Sequence, residues 1–242
     1  FDNIDYYINP ATVTNHSLGV SGGGESSRYN LSLSYLNQDA MLPGYNFKRY
    51  NALLNYSVEL SKAVTVGTSM NLTFKDRKEP PFTGEGMALS IYAAGPLYGP
   101  FLPDGSGRVV SRAYQLEGRN RNVQEYYVMG NQRTEEYNLN GQAYIDIRPF
   151  KGLTWSTKAA INYVDEFYKM HQTPYEAFVL QERDPETNDY KMFTFGPDVL
   201  GVTDQYSKSI TPTVYSTLTY ETRISDLHDL RILAGYEQLS HS

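Results

Sequence analysis

The stretch Val64-Thr65-Val66-Gly67-Thr68-Ser69-Met70-Asn71-Leu72-Thr73-Phe74-Lys75 decides the fold. Its even positions carry Val64, Val66, Thr68, Met70, Leu72 and Phe74. Its odd positions carry Thr65, Gly67, Ser69, Asn71, Thr73 and Lys75. Side chains of an extended chain point alternately to opposite faces, so this pattern predicts a β-strand with one apolar and one polar side. The strand is also long. Strands of soluble proteins average about 5 to 6 residues, whereas a tilted strand that crosses hydrocarbon needs about 9 to 11.

The neighbouring sequence repeats the pattern. Tyr50, Ala52, Leu54, Tyr56 and Val58 oppose Arg49, Asn51, Asn55, Ser57 and Glu59. Tyr137, Leu139, Ala143, Ile145 and Ile147 oppose Glu136, Asn138, Asn140, Gln142 and Asp146. Leu153, Trp155, Ala159, Ile161, Tyr163 and Phe167 oppose Thr154, Ser156, Lys158, Asn162 and Glu166. Shorter or noisier segments run over His16–Gly22, Tyr29–Asn37, Ser209–Glu221 and Leu230–Gln238. About eight strands are expected.

The connections are sorted by length. Gly22–Ser26, Leu60–Ala63, Pro149–Gly152 and Ser225–His228 read as tight turns. Ala40–Asn46, Lys78–Arg133 and Gln172–Ser207 read as longer loops, alternating with the turns. In an up-and-down sheet every second connection lies at the same end. All tight turns therefore fall on one rim and all long loops on the other, as in outer-membrane barrels. The fold class expected is all-β: an antiparallel up-and-down transmembrane β-barrel segment.

Composition agrees. Mean hydropathy is −0.51 and no apolar run is long enough for a membrane-crossing helix. A barrel shows lipid only every second residue, so a polar average is compatible with a membrane. Tyrosine is abundant, with 22 residues against a single Trp, and suits a bilayer interface. Net charge is −6 with a pI near 5.3, which argues against nucleic acid as a partner. No cysteine is present, so disulfides and Cys-based metal sites are excluded. The start, Phe1-Asp2-Asn3-Ile4-Asp5, lacks the basic and apolar regions of a signal peptide.

Eight strands can close a small barrel, but such a barrel fills its interior with side chains. Here the polar faces carry Lys, Arg, Glu, Asn and Gln, which suit a wide wet lumen. The last residues, Gln238–Ser242, continue a strand pattern without an aromatic ending. A fragment of a larger barrel is therefore expected.

Several stretches resemble the SusC/RagA family of TonB-dependent outer-membrane receptors. They are Asn15-His16-Ser17-Leu18-Gly19-Val20-Ser21-Gly22-Gly23, Tyr29–Tyr35, Phe47-Lys48-Arg49-Tyr50-Asn51, Leu102-Pro103-Asp104-Gly105, Pro149–Leu153 and His228–Glu237. The family's order of motifs is kept over nearly the whole chain, with Asp39-Ala40 in place of its usual Glu-Gly. The resemblance implies a 22-stranded barrel. It implies active import of a large nutrient, usually an oligosaccharide and sometimes a peptide. It implies a SusD-like surface lipoprotein over the mouth and energy from TonB–ExbB–ExbD. Residues 1–242 would be an early-to-middle part of the barrel, with the plug, the TonB box and the C-terminal strands outside them. A passive porin-like channel and an outer-membrane carbohydrate-binding module are the alternatives.

No catalytic residues are expected. His16, His171, His228 and His241 form no metal-ligand pattern. Gly19 and Gly22–Gly24 precede a strand, not the helix a phosphate loop needs. The acidic run Asp184–Asp189 is the one place where loop calcium is weighed, and a hairpin tip between Phe178–Leu180 and Tyr190–Phe193 is the preferred reading. Binding residues concentrate on loops held by a rigid scaffold. The candidates for substrate or partner contact are Tyr92, Tyr98, Phe101, Arg119, Tyr126, Tyr127 and Tyr175, with Arg112, Tyr114 and Arg121 beside them. Aromatic faces stack on sugar rings, and Arg binds hydroxyls or carboxylates. The competing reading is that these residues pack the loops. Met87–Ala94 is apolar enough for a short helix within the first long loop.

Overall fold

The computed structural model describes residues 1–96, 99–111, 122–225 and 228–240. Eight strands make one antiparallel sheet. They are β1 (Val13–Gly23), β2 (Ser27–Asp39), β3 (Asn46–Ser61), β4 (Val64–Glu79), β5 (Gly130–Ile147), β6 (Leu153–Gln172), β9 (Gly201–Ile224) and β10 (His228–Leu239). Each pairs with the next in that order, so the sheet runs up and down without a crossover. A separate hairpin, β7 (Tyr175–Arg183) and β8 (Tyr190–Phe195), leaves the sheet between β6 and β9. Strand β1 does not pair with β10, so the sheet is open at both edges.

The loops sort as expected. The β1–β2, β3–β4, β5–β6 and β9–β10 connections are short and lie at one rim. Residues 40–45, 80–129 and 173–200 connect strands at the other. Gly152 shows why one tight turn needs glycine: its φ is +91°, and a Cβ there would strike the carbonyl oxygen of Glu221.

Strand ends differ from expectation mainly at the long-loop rim. Strand β4 runs on through Asp76 to Glu79, and β9 begins at Gly201 instead of near Ser209. Alternation fails in these extensions because charges occupy both faces of the β4 end, while the β9 start carries Asp204 and Lys208 on its otherwise apolar side. Backbone pairing continues regardless, with Glu79 opposite Gln132 and Gly201 opposite Gln172.

The register gives the faces without ambiguity, since directly opposed residues share a side. One face carries the row His16, Tyr35, Tyr50, Phe74 and Tyr137. Beneath it lies Leu18, Leu33, Ala52, Leu72, Leu139 and Tyr163. These side chains meet no second layer: Leu18 is 65% exposed, Leu72 48% and Tyr137 53%. Among the described residues, no apolar side chain of the eight-stranded sheet is buried. A soluble sheet of this size would bury its apolar face against a core. This one leaves its apolar face open among the described residues, as the wall of a barrel would.

The protein's dry core lies instead in the long-loop region. Helices α1 (Asn3–Tyr7), α2 (Gly84–Tyr92) and α3 (Gln124–Val128) gather there. Asp2 caps α1 by accepting from the amides of Ile4 and Asp5, and Thr83 caps α2 through Gly86. The expected helix in the first long loop is therefore present, shifted by a few residues to its capping threonine. Tyr7, Met87, Ile91 and Val123 form one buried cluster, and Leu102, Val110 and Phe178 a second.

Candidate functional site: the loop body and the polar wall

The two longest loops form one body. The β7–β8 hairpin joins residues 101–111 through backbone bonds, Ser111 N to Phe178 O (2.8 Å) and Phe178 N to Val109 O (2.8 Å). Asn122 is buried, and its amide donates to the carbonyls of Pro100 (2.8 Å) and Val110 (2.6 Å), drawing three interior points of the first loop together. Arg108 closes the outer side. Its guanidinium bonds Asp104 (2.7 Å) and Asp189 (2.7 and 3.1 Å) and lies 4.7 Å from the Phe178 ring centroid. Hydrogen bonds from Ser106 and Arg108 hold the Asp104 carboxyl well below the usual carboxylate range. Asp189 is lowered by Arg108 and by the amide of Tyr190.

The candidate contact residues distribute unequally over this body. Tyr92, at the end of α2, is 66% exposed. Phe101 is half-buried and bridges to Val109. Tyr126 stacks on Phe82 with ring centroids 4.0 Å apart, and Tyr127 stacks near Tyr7 at 6.2 Å. Burial pushes the Tyr127 hydroxyl up to about 12, and its oxygen is buried with no hydrogen-bond partner. Tyr175 is buried, and its hydroxyl donates to the fully buried Glu125 (2.7 Å). Tyr126, Tyr127 and Tyr175 thus serve packing in this structure. Tyr98, Arg112, Tyr114, Arg119 and Arg121 lie outside the described residues.

The acidic run folds as a hairpin tip. Asp184 accepts from the amides of Glu186 and Thr187 (both 2.9 Å), while Asp189 belongs to the Arg108 cluster. Among the described residues no group of three or more metal-ligating side chains gathers.

The polar face of the sheet has a pattern that strand-by-strand reading missed. Three successive register rows across β2 to β9 contain no ionisable side chain. One runs Ser34, Asn51, Thr73, Asn138, Val164 and Ser209. The next runs Ser32, Leu53, Asn71, Asn140, Asn162 and Thr211, and the third Asn30, Asn55, Ser69, Gln142, Ala160 and Thr213. Charges bound this belt on both sides. Arg49, Lys75, Glu136 and Glu166 form the row toward the long loops, with Lys75 and Glu136 paired at 2.8 Å. Arg28 and Lys158 lie toward the tight turns. Within the belt the amides hydrogen-bond in series, Asn162 to Asn140 and Asn140 to Asn138 (2.7 Å). The signal was in the sequence, but only the register aligned it.

No family model matches the chain. Two curated relatives from Formosa agariphila do. TonB-dependent receptor P26 is 26% identical over 97 residues, covering 40% of this chain and 10% of the relative. TonB-dependent receptor P3 is 28% identical over 112 residues, covering 46% and 10%. The RagAB peptide transporter superposes with a TM-score of 0.75 at 19% identity, covering 99% of this chain and 25% of that one. The RagAB peptide importer in its open-open state gives 0.73, also at 19% identity and with the same coverage. The chain thus spans about a tenth of the curated relatives' length and a quarter of the solved chains.

Proposed function

We propose that this chain, a barrel-wall stretch of a SusC/RagA-like TonB-dependent receptor, serves outer-membrane import of a large, uncharged, hydroxyl-rich nutrient, an oligosaccharide. The observation that carries the reading is the uncharged belt of amides and hydroxyls on the polar face. Such groups exchange hydrogen bonds with water and with sugar hydroxyls at similar strength, so a sugar passing over them meets little resistance. They offer no fixed charge to trap an ionic ligand. The belt lies between the charged rows, near mid-strand, where a solute crossing the membrane must pass.

In this reading the long-loop rim faces outward and receives a SusD-like lipoprotein. Plug, TonB box and remaining strands belong to other parts of the receptor, and TonB–ExbB–ExbD acts through them. Exposed Tyr92 is a sugar-stacking residue at the entrance.

The test is complementation of a strain lacking the complete receptor, scored as uptake of labelled neutral oligosaccharides and of labelled peptides. The wild-type gene is expected to restore TonB-dependent oligosaccharide uptake. The double variant Asn140→Asp, Asn162→Asp is expected to lower it several-fold while leaving receptor abundance unchanged. Restoration of peptide uptake alone rejects the substrate. Uptake that persists without TonB rejects active import and favours a passive channel.

A further inference from the structure

The apolar face of the sheet is not uniform. Ala52 sits in a row otherwise filled by Leu18, Leu33, Leu72, Leu139 and Tyr163. Its short side chain leaves a dent, and the aromatic row of Tyr35, Tyr50, Phe74 and Tyr137 stands along one side of it. The resulting groove is about 800 Å³ and is lined almost wholly by carbon. It opens on the side of the sheet where no other part of the protein packs.

Just past the aromatic row, on the same face and toward the long loops, the chemistry changes within one residue pair. Lys48 follows Tyr50, and Asp76 and Lys78 follow Phe74. Arg133 and Glu135 lie opposite on β5. Asp76 is already satisfied, because Arg133 bonds both its oxygens (2.8 and 3.0 Å) and also reaches Glu135 (2.7 Å). Lys48 and Lys78 make no ion pair among the described residues. They occupy diagonal positions on adjacent strands, about 7 to 8 Å apart at the backbone, within easy reach of one anion.

We propose that this groove and its two lysines form a seat for a phosphate-bearing lipid of the outer leaflet. One acyl chain lies in the dent over Ala52, and the phosphate sits between the ammonium groups of Lys48 and Lys78. The occupant is argued from charge complementarity. Unpaired ammonium groups directly above an apolar groove, at the level where tyrosines mark a membrane interface, match a lipid anion and its chain together. The tethered Asp76 does not oppose the phosphate at full strength, because Arg133 neutralises it. The inference rests on the strands crossing a lipid bilayer.

The test uses the complete receptor, purified in a neutral detergent, with native mass spectrometry reading retained lipid. The probes are lipid A with its phosphates and the same lipid A after dephosphorylation. The wild type is expected to retain the phosphorylated form selectively. Lys48→Gln with Lys78→Gln is expected to weaken retention roughly 30-fold, from about 1 kcal/mol per cation near a membrane surface. Ala52→Phe, which fills the dent, is expected to weaken it too. Inorganic phosphate at millimolar concentration is expected not to displace the lipid. Equal retention of both lipids, or no effect of the lysine pair, overturns the seat while leaving the membrane reading intact. A receptor that stays soluble without detergent overturns the membrane reading itself. Unchanged heat-modifiable mobility on gels confirms folding of the lysine variant.

Discussion

Arg108 shows what one side chain does when two loops must act as one. It joins residues that are 81 positions apart, Arg108 and Asp189, and covers the rings of Phe178 and Tyr190. Both carboxylates titrate below their ordinary value in the folded protein. Their contribution is therefore complete above the usual carboxylate pKa, declines once pH falls below it, and is gone below the lowered folded values. Amides of the β7–β8 hairpin are expected to hold full hydrogen-exchange protection above the ordinary carboxylate range and to lose part of it as pH drops through that range. In Arg108→Gln that protection is expected to be lower above that range and to change less with pH, so that variant and wild type converge in acid. Gly67 illustrates a residue-scale fit of another kind. A Cβ there would lie 2.5 Å from the Tyr144 ring, so the ring lies flat over the glycine on the adjacent strand. Tyr29 covers Gly22 in the same way, at 2.6 Å.

At the scale of the strand, parity decides everything. Leu72 and Asn71 are neighbours in sequence but face different solvents. On a lipid-facing position near mid-membrane an arginine costs about 2 to 4 kcal/mol, and on a lumen position far less. Met70→Arg, on the same face and further from the aromatic row, is therefore expected to lower unfolding stability of the complete receptor in lipid by about that much, with Asn71→Arg near wild type. Denaturant titration followed by tryptophan fluorescence reads both. Equal effects at the two positions reject the assignment of faces. The strand ends make the same point. Strands β6 and β9 are 20 and 24 residues long, more than a bilayer requires, and their outer ends carry Lys169 and Asp204 in place of apolar side chains. In the membrane reading those ends leave the hydrocarbon and lift the loop body above it.

For the whole molecule the governing fact is an open sheet with no core of its own. Strands β1 and β10 each leave one edge unpaired, and every residue of β10 is exposed. Unpaired edges invite association with other chains. The isolated 242-residue segment is expected to aggregate in buffer and to remain dispersed only in detergent or lipid, as read by light scattering. A monodisperse segment with cooperative unfolding in buffer would instead indicate a self-contained soluble domain. Among the described residues, the loop body is the part with a conventional core, from Tyr7, Met87, Ile91 and Val123. It joins residues from the first strand's approach, the first long loop and the second, and so behaves as a single cap on this section of wall.

Alternation along Val64–Lys75 and its neighbours was enough to define strands, faces and the sorting of loops, because in a β-strand side-chain direction follows from sequence parity alone. The tip at Asp184–Asp189 was likewise legible from its composition. The short helices α1 and α3 were not, since five residues carry too little periodicity to register. Nor could the chain reveal that Tyr126, Tyr127 and Tyr175 pack inward while Tyr92 stays outside. An aromatic residue on a loop has no parity to obey, and its place is set by partners distant in sequence. The uncharged belt and the groove over Ala52 also waited for the tertiary structure, because each is a property of rows that cross strands, and only the register says which residues stand side by side.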